Sequence, residues 1–289
     1  MASKKLRVRK HRVVLNRSAG GDTVITIILV ILALFMFLPM WYILVCSVKP
    51  MGETFITPPK FYAMKPTFKN FIDLFTNINA TWVPISRYIF NTIIIAVCAT
   101  VGCLIIGSMA AYSLSKVRFP GYKFVNNLIV YSLMMSSTVA GLTSFIIYVA
   151  LGMLNTYSIS IIPVWASTLG LYLVKQFMDD NVSDEMIEAA RIDGAGEGFI
   201  YLKIVMPLVK PAWLTLLITT FQSVWNGGAS TYVWSEQLKA FNAAIATISG
   251  VSAGAGTAAT VLMMIVPITM FIIAQSNIIE TYASSGMKD

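Results

Sequence analysis

Six long apolar runs divided by shorter polar stretches make up most of the chain: Val24 to Val48, Tyr88 to Ser115, Phe124 to Gly152, Tyr157 to Val174, Pro211 to Asn226 and Thr257 to Ser276. A helix crosses the hydrocarbon core of a bilayer with roughly 20 apolar residues. Each run meets that length, the fifth with some extension at its ends. The pattern predicts an all-α polytopic membrane protein with six transmembrane helices. The first run is longer than a signal-peptide core and no small-residue cleavage site follows it, so it reads as a retained helix.

Composition agrees. With 57% hydrophobic residues, 12% charged residues and a mean hydropathy of +0.74, the chain falls in the membrane class and outside the range of soluble domains. The net charge of +8 is concentrated in Lys4, Lys5, Arg7, Arg9, Lys10, Arg12 and Arg17, just before the first run. That is the flank of a membrane segment. No aromatic residue is interleaved with these charges to stack on bases, so no nucleic-acid partner is indicated.

Lys and Arg also set the orientation. With the N-terminus in the cytoplasm, fifteen of them lie inside and six, Lys49, Lys60, Lys65, Lys69, Arg87 and Lys239, lie outside. The positive-inside rule favours that arrangement, which makes both termini and the segment around Glu188 cytoplasmic. The first outer loop, 49–87, carries five prolines and several aromatics and predicts an extended, partly ordered cap. The third, 227–256, has Gly227-Gly228 and a Gly250 to Gly256 stretch, which predict bends around a short helix from Glu236 to Ile248.

Several kinds of chemistry are missing. None of the runs holds a Lys, Arg, Asp, Glu or His in its middle, where ion-coupled carriers place such groups. There is no phosphate-cradling G-x-x-x-x-G-K-[ST] loop. Gly254-Ala255-Gly256-Thr257-Ala258-Ala259 fits G-x-G-x-x-A, but an uncharged span follows it where a dinucleotide site needs an acidic residue. Cys46, Cys98 and Cys103 lie in apolar runs and His11 in the basic tail, so neither a disulfide framework, a metal site nor a catalytic base is indicated. No cofactor is expected, and an energy source, if there is one, lies on another chain.

The one conspicuously polar stretch between apolar runs spans Asn181 to Lys210. Ser183 is placed as an N-cap, Asp184 and Glu185 complement the helix dipole, and a helix running through Met186 to Ala190 stops at Gly194. Pro207 and Pro211 are suited to start the next span at its first turn. On the residues alone this is either a simple cytoplasmic helical hairpin or an elbow that docks into another protein. Later in the chain Gln222, Trp225 and Asn226 stand at i, i+3 and i+4 on one helical face. That set suits a neutral polyol, with amide hydrogen bonds and an aromatic platform, and equally suits packing against another helix.

Glu188-Ala189-Ala190, Gly194 at the seventh position and Ile204-Val205-Met206-Pro207 closing the window resemble the cytoplasmic coupling motif of permease subunits of binding-protein-dependent ABC importers. The longer string Glu188 to Ala195 is similar to the carbohydrate importers, in particular the maltose-type subunit with six helices. Leu38-Pro39-Met40-Trp41, Ala110-Ala111-Tyr112, Arg118-Phe119-Pro120-Gly121, Trp225-Asn226 and Ala258 through Pro267 carry the resemblance along nearly the whole chain. It departs at Met206, at Ser136-Ser137 and at Gly227-Gly228.

The resemblance implies a basic cytoplasmic tail (1–23), a six-helix permease domain (24–282) with a coupling loop at 175–210, and a C-terminal tail (283–289). It implies a multi-pass protein of the bacterial inner membrane, not itself an enzyme. Its implied partners are a second homologous permease, two ATPase subunits, an extracytoplasmic sugar-binding protein and membrane lipid. Glu188, Ala189, Ala190, Asp193 and Gly194 would serve ATPase coupling, and Gln222, Trp225 and Asn226 the substrate path. The rival functions are import of another neutral solute such as a polyol, or a non-transporting scaffold or sensor.

Overall fold

The computed structural model describes residues 19–76, 83–227 and 230–285, and the regular elements among them are helical. In chain order they are α1 (Ala19–Ser47), α2 (Met51–Thr54), α3 (Lys69–Thr76) and α4 (Ile85–Tyr112), which runs on as a π-helical turn, Ser113–Val117. Then come α5 (Tyr122–Leu133), α6 (Ser137–Ala150), α7 (Ser158–Trp165), α8 (Thr168–Asn181) and α9 (Asp184–Ile192). A further helical stretch comprises α10 (Glu197–Phe199), a π-helical segment (Ile200–Val205) and α11 (Met206–Leu208). The chain continues with α12 (Lys210–Asn226), 3₁₀ turns at Ser230–Tyr232 and Glu236–Leu238, α13 (Phe241–Val251) and α14 (Ala253–Ser285). Of the basic tail predicted at 1–23, residues 1–18, with His11, lie outside the described residues and the remainder begins α1, and the end of the C-terminal tail also lies outside them.

Among the described residues, four stretches are long and apolar enough to cross a membrane: Gly20–Ser47, Ile85–Val117, Ser158–Asn181 and Ala253–Ile273. Two more qualify as bent pairs. The predicted third span is divided into α5 and α6, which meet at 115°. The break falls at Ser136, whose backbone is extended (φ −62°, ψ 135°). The fifth, α12, has 17 residues and follows the 197–208 stretch at 81° about Val209. The predicted fourth span is also interrupted: α7 ends at Trp165, and Ser167 restarts the helix by accepting from the Gly170 N–H at 3.3 Å. The architecture is therefore an all-helical polytopic membrane protein with four to six membrane helices.

The 28 residues of α4, at 1.5 Å each roughly 42 Å long, form the axis on which two buried clusters are stacked. Tyr88 and Ala96 join the first, with Leu74, Trp225, Phe241 and Met263. Cys103 and Tyr112 join the second, with Val174, Met178, Ile187, Ile200 and Leu216. Small residues let helices approach α4 closely. A Cβ on Gly102 would lie 2.0 Å from Nε1 of Trp165, whose indole donates to the Cys98 carbonyl at 3.1 Å. By contrast α1 exposes its apolar side chains from Val24 to Leu38, as a helix facing lipid or another membrane chain does.

The connections at the Arg87 end of α4 are tied down. Asn91, fully buried, donates to the Gln237 and Lys239 carbonyls at 2.8 and 2.9 Å and accepts from the Tyr157 hydroxyl at 2.7 Å. Tyr88 donates to Glu236 at 2.9 Å, and the Phe241 N–H donates to Thr92 at 2.8 Å. The helix expected from Glu236 to Ile248 is thus two elements. These bonds hold residues 236–240 in a turn and extended backbone, and α13 starts only at Phe241, which buries itself with Ala244 and Ile248. Nor do Gly254 and Gly256 make bends: they lie inside α14, where a Cβ would meet Asn70 Oδ1 at 2.3 Å and Ser249 Oγ at 2.1 Å. The break before α14 is at Ser252. In the first outer loop, Glu53 accepts from the Met64 and Lys65 N–H groups at 2.9 and 3.0 Å, and Asn70 donates to the Ser47 and Lys49 carbonyls, so side-chain bonds to backbone groups hold residues 47–70 of the predicted cap.

Candidate functional site

At the opposite end of α4 the polar stretch folds as the helix, bend and second helix read from the sequence. Ser183 occupies the N-cap position with extended backbone, although its side chain makes no capping bond. Asp184, beside it, is turned instead to α4. The helix ends in a Schellman arrangement: Gly194, at φ 81°, donates its N–H to the Arg191 carbonyl at 3.0 Å, and Ala195 donates to Ala190 at 3.0 Å. A left-handed φ of this kind costs a residue with a Cβ about 1–2 kcal/mol, which is the physical reason for glycine here.

α9 is two-faced. Ile187 is buried, and Met186, Ala190 and Ala195 pack on the second core cluster. Burying one aliphatic side chain of this size contributes about 1.5–3 kcal/mol. Glu185, Glu188, Ala189, Asp193 and Gly194 are exposed, and Ile192 has 86% of its surface open, with Phe199 and Leu202 of the next stretch also exposed. Of the five residues expected to act in coupling, four therefore face outward. Ala190 alone is turned inward and belongs to the elbow's own packing.

Side chains of α4 and its π-helical extension hold this elbow at both ends. At its entrance Lys116, its side chain only 3% exposed, donates to the Val182 carbonyl at 2.5 Å and pairs with Asp184 at 2.9 Å, while Arg118 takes the other Asp184 oxygen at 2.8 Å. Ser115 donates to Asp179 at 2.5 Å, and Asp179 also pairs with Lys175. At its exit Glu197 accepts from Tyr112 at 2.6 Å and from Arg191 at 2.7 Å, and the Ser108 and Tyr201 hydroxyls lie 2.7 Å apart. The hydrogen bond from Lys116, aided by its charge and that of Arg118, holds the Asp184 carboxyl below the usual range against the effect of partial burial. The hydrogen bonds from Arg191 and then Tyr112 do the same for Glu197, whose own hydrogen bond in turn raises Arg191.

The three residues expected on one polar face of the fifth span are not alike. Trp225 is buried in the first core cluster, stacks on Phe221 at 5.4 Å and donates its indole N–H to the Met263 carbonyl at 2.9 Å. Its ring is packing between α12 and α14 and presents no open platform. Gln222 is half-buried, and Asn226 is exposed at the end of α12, where its carbonyl accepts from Asn242.

Residues 103–281, more than half of the chain and including the elbow, match the family described as binding-protein-dependent transport system inner membrane component. The chain belongs to that family. This permease is 28% identical over 274 residues to a melibiose/raffinose/stachyose import permease of Bacillus subtilis (strain 168), covering 92% of this chain and 96% of that one. It is 29% identical over 221 residues to an sn-glycerol-3-phosphate transport system permease of Yersinia enterocolitica, covering 70% and 77%. It is 26% identical over 204 residues to a diacetylchitobiose uptake permease of Streptomyces coelicolor, covering 69% and 64%. Its fold resembles a chain of a bacterial ABC transporter involved in import of the acidic polysaccharide alginate, with a TM-score of 0.75 at 21% identity, over 90% of this chain and 98% of that one. It is a multi-pass inner-membrane subunit of an ABC importer.

Sequence reading overlooked the permease's own grip on its elbow. Lys116 and Arg118 read as inside charges, Arg118 and Tyr112 also as parts of the family resemblance, Asp184 as a dipole complement, and Glu197 has no role there. The available signal was Lys116 itself, a cation within the last turn of a span, where burial demands a partner.

Proposed function

We propose that this permease forms half of the translocation path of a sugar or oligosaccharide importer and couples it to ATP hydrolysis through the exposed ridge of α9. The assembly contains a second homologous permease, two ATPase subunits and an extracytoplasmic sugar-binding protein, and hydrolysis occurs on the ATPases. The chain crosses the membrane six times, α5 with α6 and α7 with α8 each counting as one crossing, and both termini are cytoplasmic. The fifteen-to-six distribution of Lys and Arg supports that orientation.

The observation that carries the coupling role is the division of α9 into a packed inner face and an open outer one. Ile192, 86% exposed, with Ala189, forms a small apolar knob flanked by Glu188 and Asp193. A surface of that shape fits a cleft offering an apolar floor and basic groups or free backbone N–H groups at its rim. Gly194 sets the angle at which the knob stands. Import of an uncharged solute is supported by charge-free span centres and by the relatives named for melibiose, raffinose, stachyose and diacetylchitobiose. Along the path, Gln222 and Asn226 are the groups that can hydrogen-bond a sugar, and Trp225 supports them from the core.

The test is solute uptake by cells carrying Glu188→Lys or Gly194→Pro. Both variants are expected to reach the membrane at normal levels and to lose transport, and wild-type uptake in either at normal expression contradicts the coupling role. Running glycerol-3-phosphate beside neutral oligosaccharides in the same assay decides the solute class.

A further inference from the structure

We propose that the elbow and the cytoplasmic end of α4 move as one rigid body, locked by Lys116, so that motion imposed on the elbow enters the helix bundle through α4 and not through the chain on either side. This rests on the coupling role of α9. The covalent route is poorly suited to carrying a lever's force. On the α8 side, Val182 and Ser183 are both in extended conformation, a two-residue hinge. On the far side lie Gly194 at φ 81°, Ala195 and Gly196, and then the 81° break before α12. Each is a point where backbone rotation absorbs a push.

The side-chain route has no such joint. Lys116 leaves a π-helical turn continuous with α4 and reaches into that hinge, holding the Val182 carbonyl within it and the first carboxylate of α9 beyond it. With its side chain only 3% exposed, Lys116 cannot leave these partners without leaving a buried charge uncompensated. Tyr112, one turn earlier on the same helix, holds the elbow's exit through Glu197. Two attachments on one helix, at the two ends of the elbow, remove its freedom to rotate against α4. Lys116 is thus a positioning residue for coupling.

The test uses the assembled importer. In a chain freed of Cys46, Cys98 and Cys103, Arg118→Cys and Glu185→Cys, which line one cleft between the end of α4 and the start of α9, are bridged by a short bifunctional thiol reagent, in the nucleotide-free complex and in the ATP-trapped one. A rigid body gives the same bridging yield in both states, and transport survives bridging. A yield that falls about tenfold in one state, or transport abolished by bridging alone, means that the elbow's attachment slides along α4 and overturns the proposal. Because yield requires no turnover, it decides the question even where the double-cysteine chain is inactive. Lys116→Met supplies a second readout: the complex is expected to assemble and hydrolyse ATP while solute moved per ATP falls severalfold, with partial recovery in Lys116→Arg. Hydrolysis and transport falling together in Lys116→Met would reduce Lys116 to a folding role. If no ATPase accompanies even the unaltered chain, it is the coupling role that fails, an outcome distinct from sliding in an assembled complex.

Discussion

Gly194 and Gly102 are both glycine, for different reasons, and only one of the reasons is local. Gly194 adopts φ 81° to close α9, a requirement that shows in the sequence as a glycine ending a charged helical pattern. Gly102 has ordinary helical backbone and is glycine because the indole of Trp165 occupies the space of its Cβ. Gly102→Ala is expected to push Trp165 off the Cys98 carbonyl and cost about 1–3 kcal/mol by overpacking. Gly141→Ala in α6, where nothing lies within 4 Å of the new methyl, is expected to be neutral or slightly stabilising. Thermal unfolding of the two variants in detergent checks the contrast, and equal stabilities contradict it. Trp225 teaches the same lesson. Its spacing with Gln222 and Asn226 is visible in sequence, but that spacing cannot distinguish a face lining a path from one buried against α14.

Helices as such were legible because apolar length alone defines them; their interruptions were not. The runs pass through Ser136 and Ala166-Ser167 with little change in hydropathy, so the breaks there depend on backbone conformation and tertiary contacts that composition does not encode. α9 was legible from its capping position, its acidic first turn and its glycine stop. Its attachment to α4 was not, since it joins residues more than sixty positions apart, and Ser183 made no cap because Lys116 and Arg118 fix the helix start through Asp184. That attachment has a pH dependence. Asp184 and Glu197 titrate below their ordinary values, so the stabilisation they give is fully present above the unfolded-state range of about 4 and disappears as pH falls through the lower folded values. Amide exchange across α9, corrected for its intrinsic pH dependence, is expected to be equally slow from neutral pH to about 5 and to accelerate only below about 4. Loss of protection already near neutral pH would contradict an elbow held by these carboxylates.

At the scale of the molecule, α4 connects two buried clusters and two sets of contacts. At one end it pins the 236–240 turn through Asn91 and Tyr88, and at the other it grips the elbow through Tyr112 and Lys116. A single helix thus joins the pinned 236–240 turn to the surface proposed to meet the ATPase. The absence of charge from the span centres accords with the proposed division of labour, in which the chain supplies a path and a lever and the energy comes from another subunit. The most direct measurement is purification of the tagged chain from its native membrane in mild detergent, with identification of what accompanies it. The account predicts recovery of an ATPase and a second permease with the unaltered chain, and loss of the ATPase alone with Glu188→Lys. A chain that repeatedly emerges without any ATPase would contradict it.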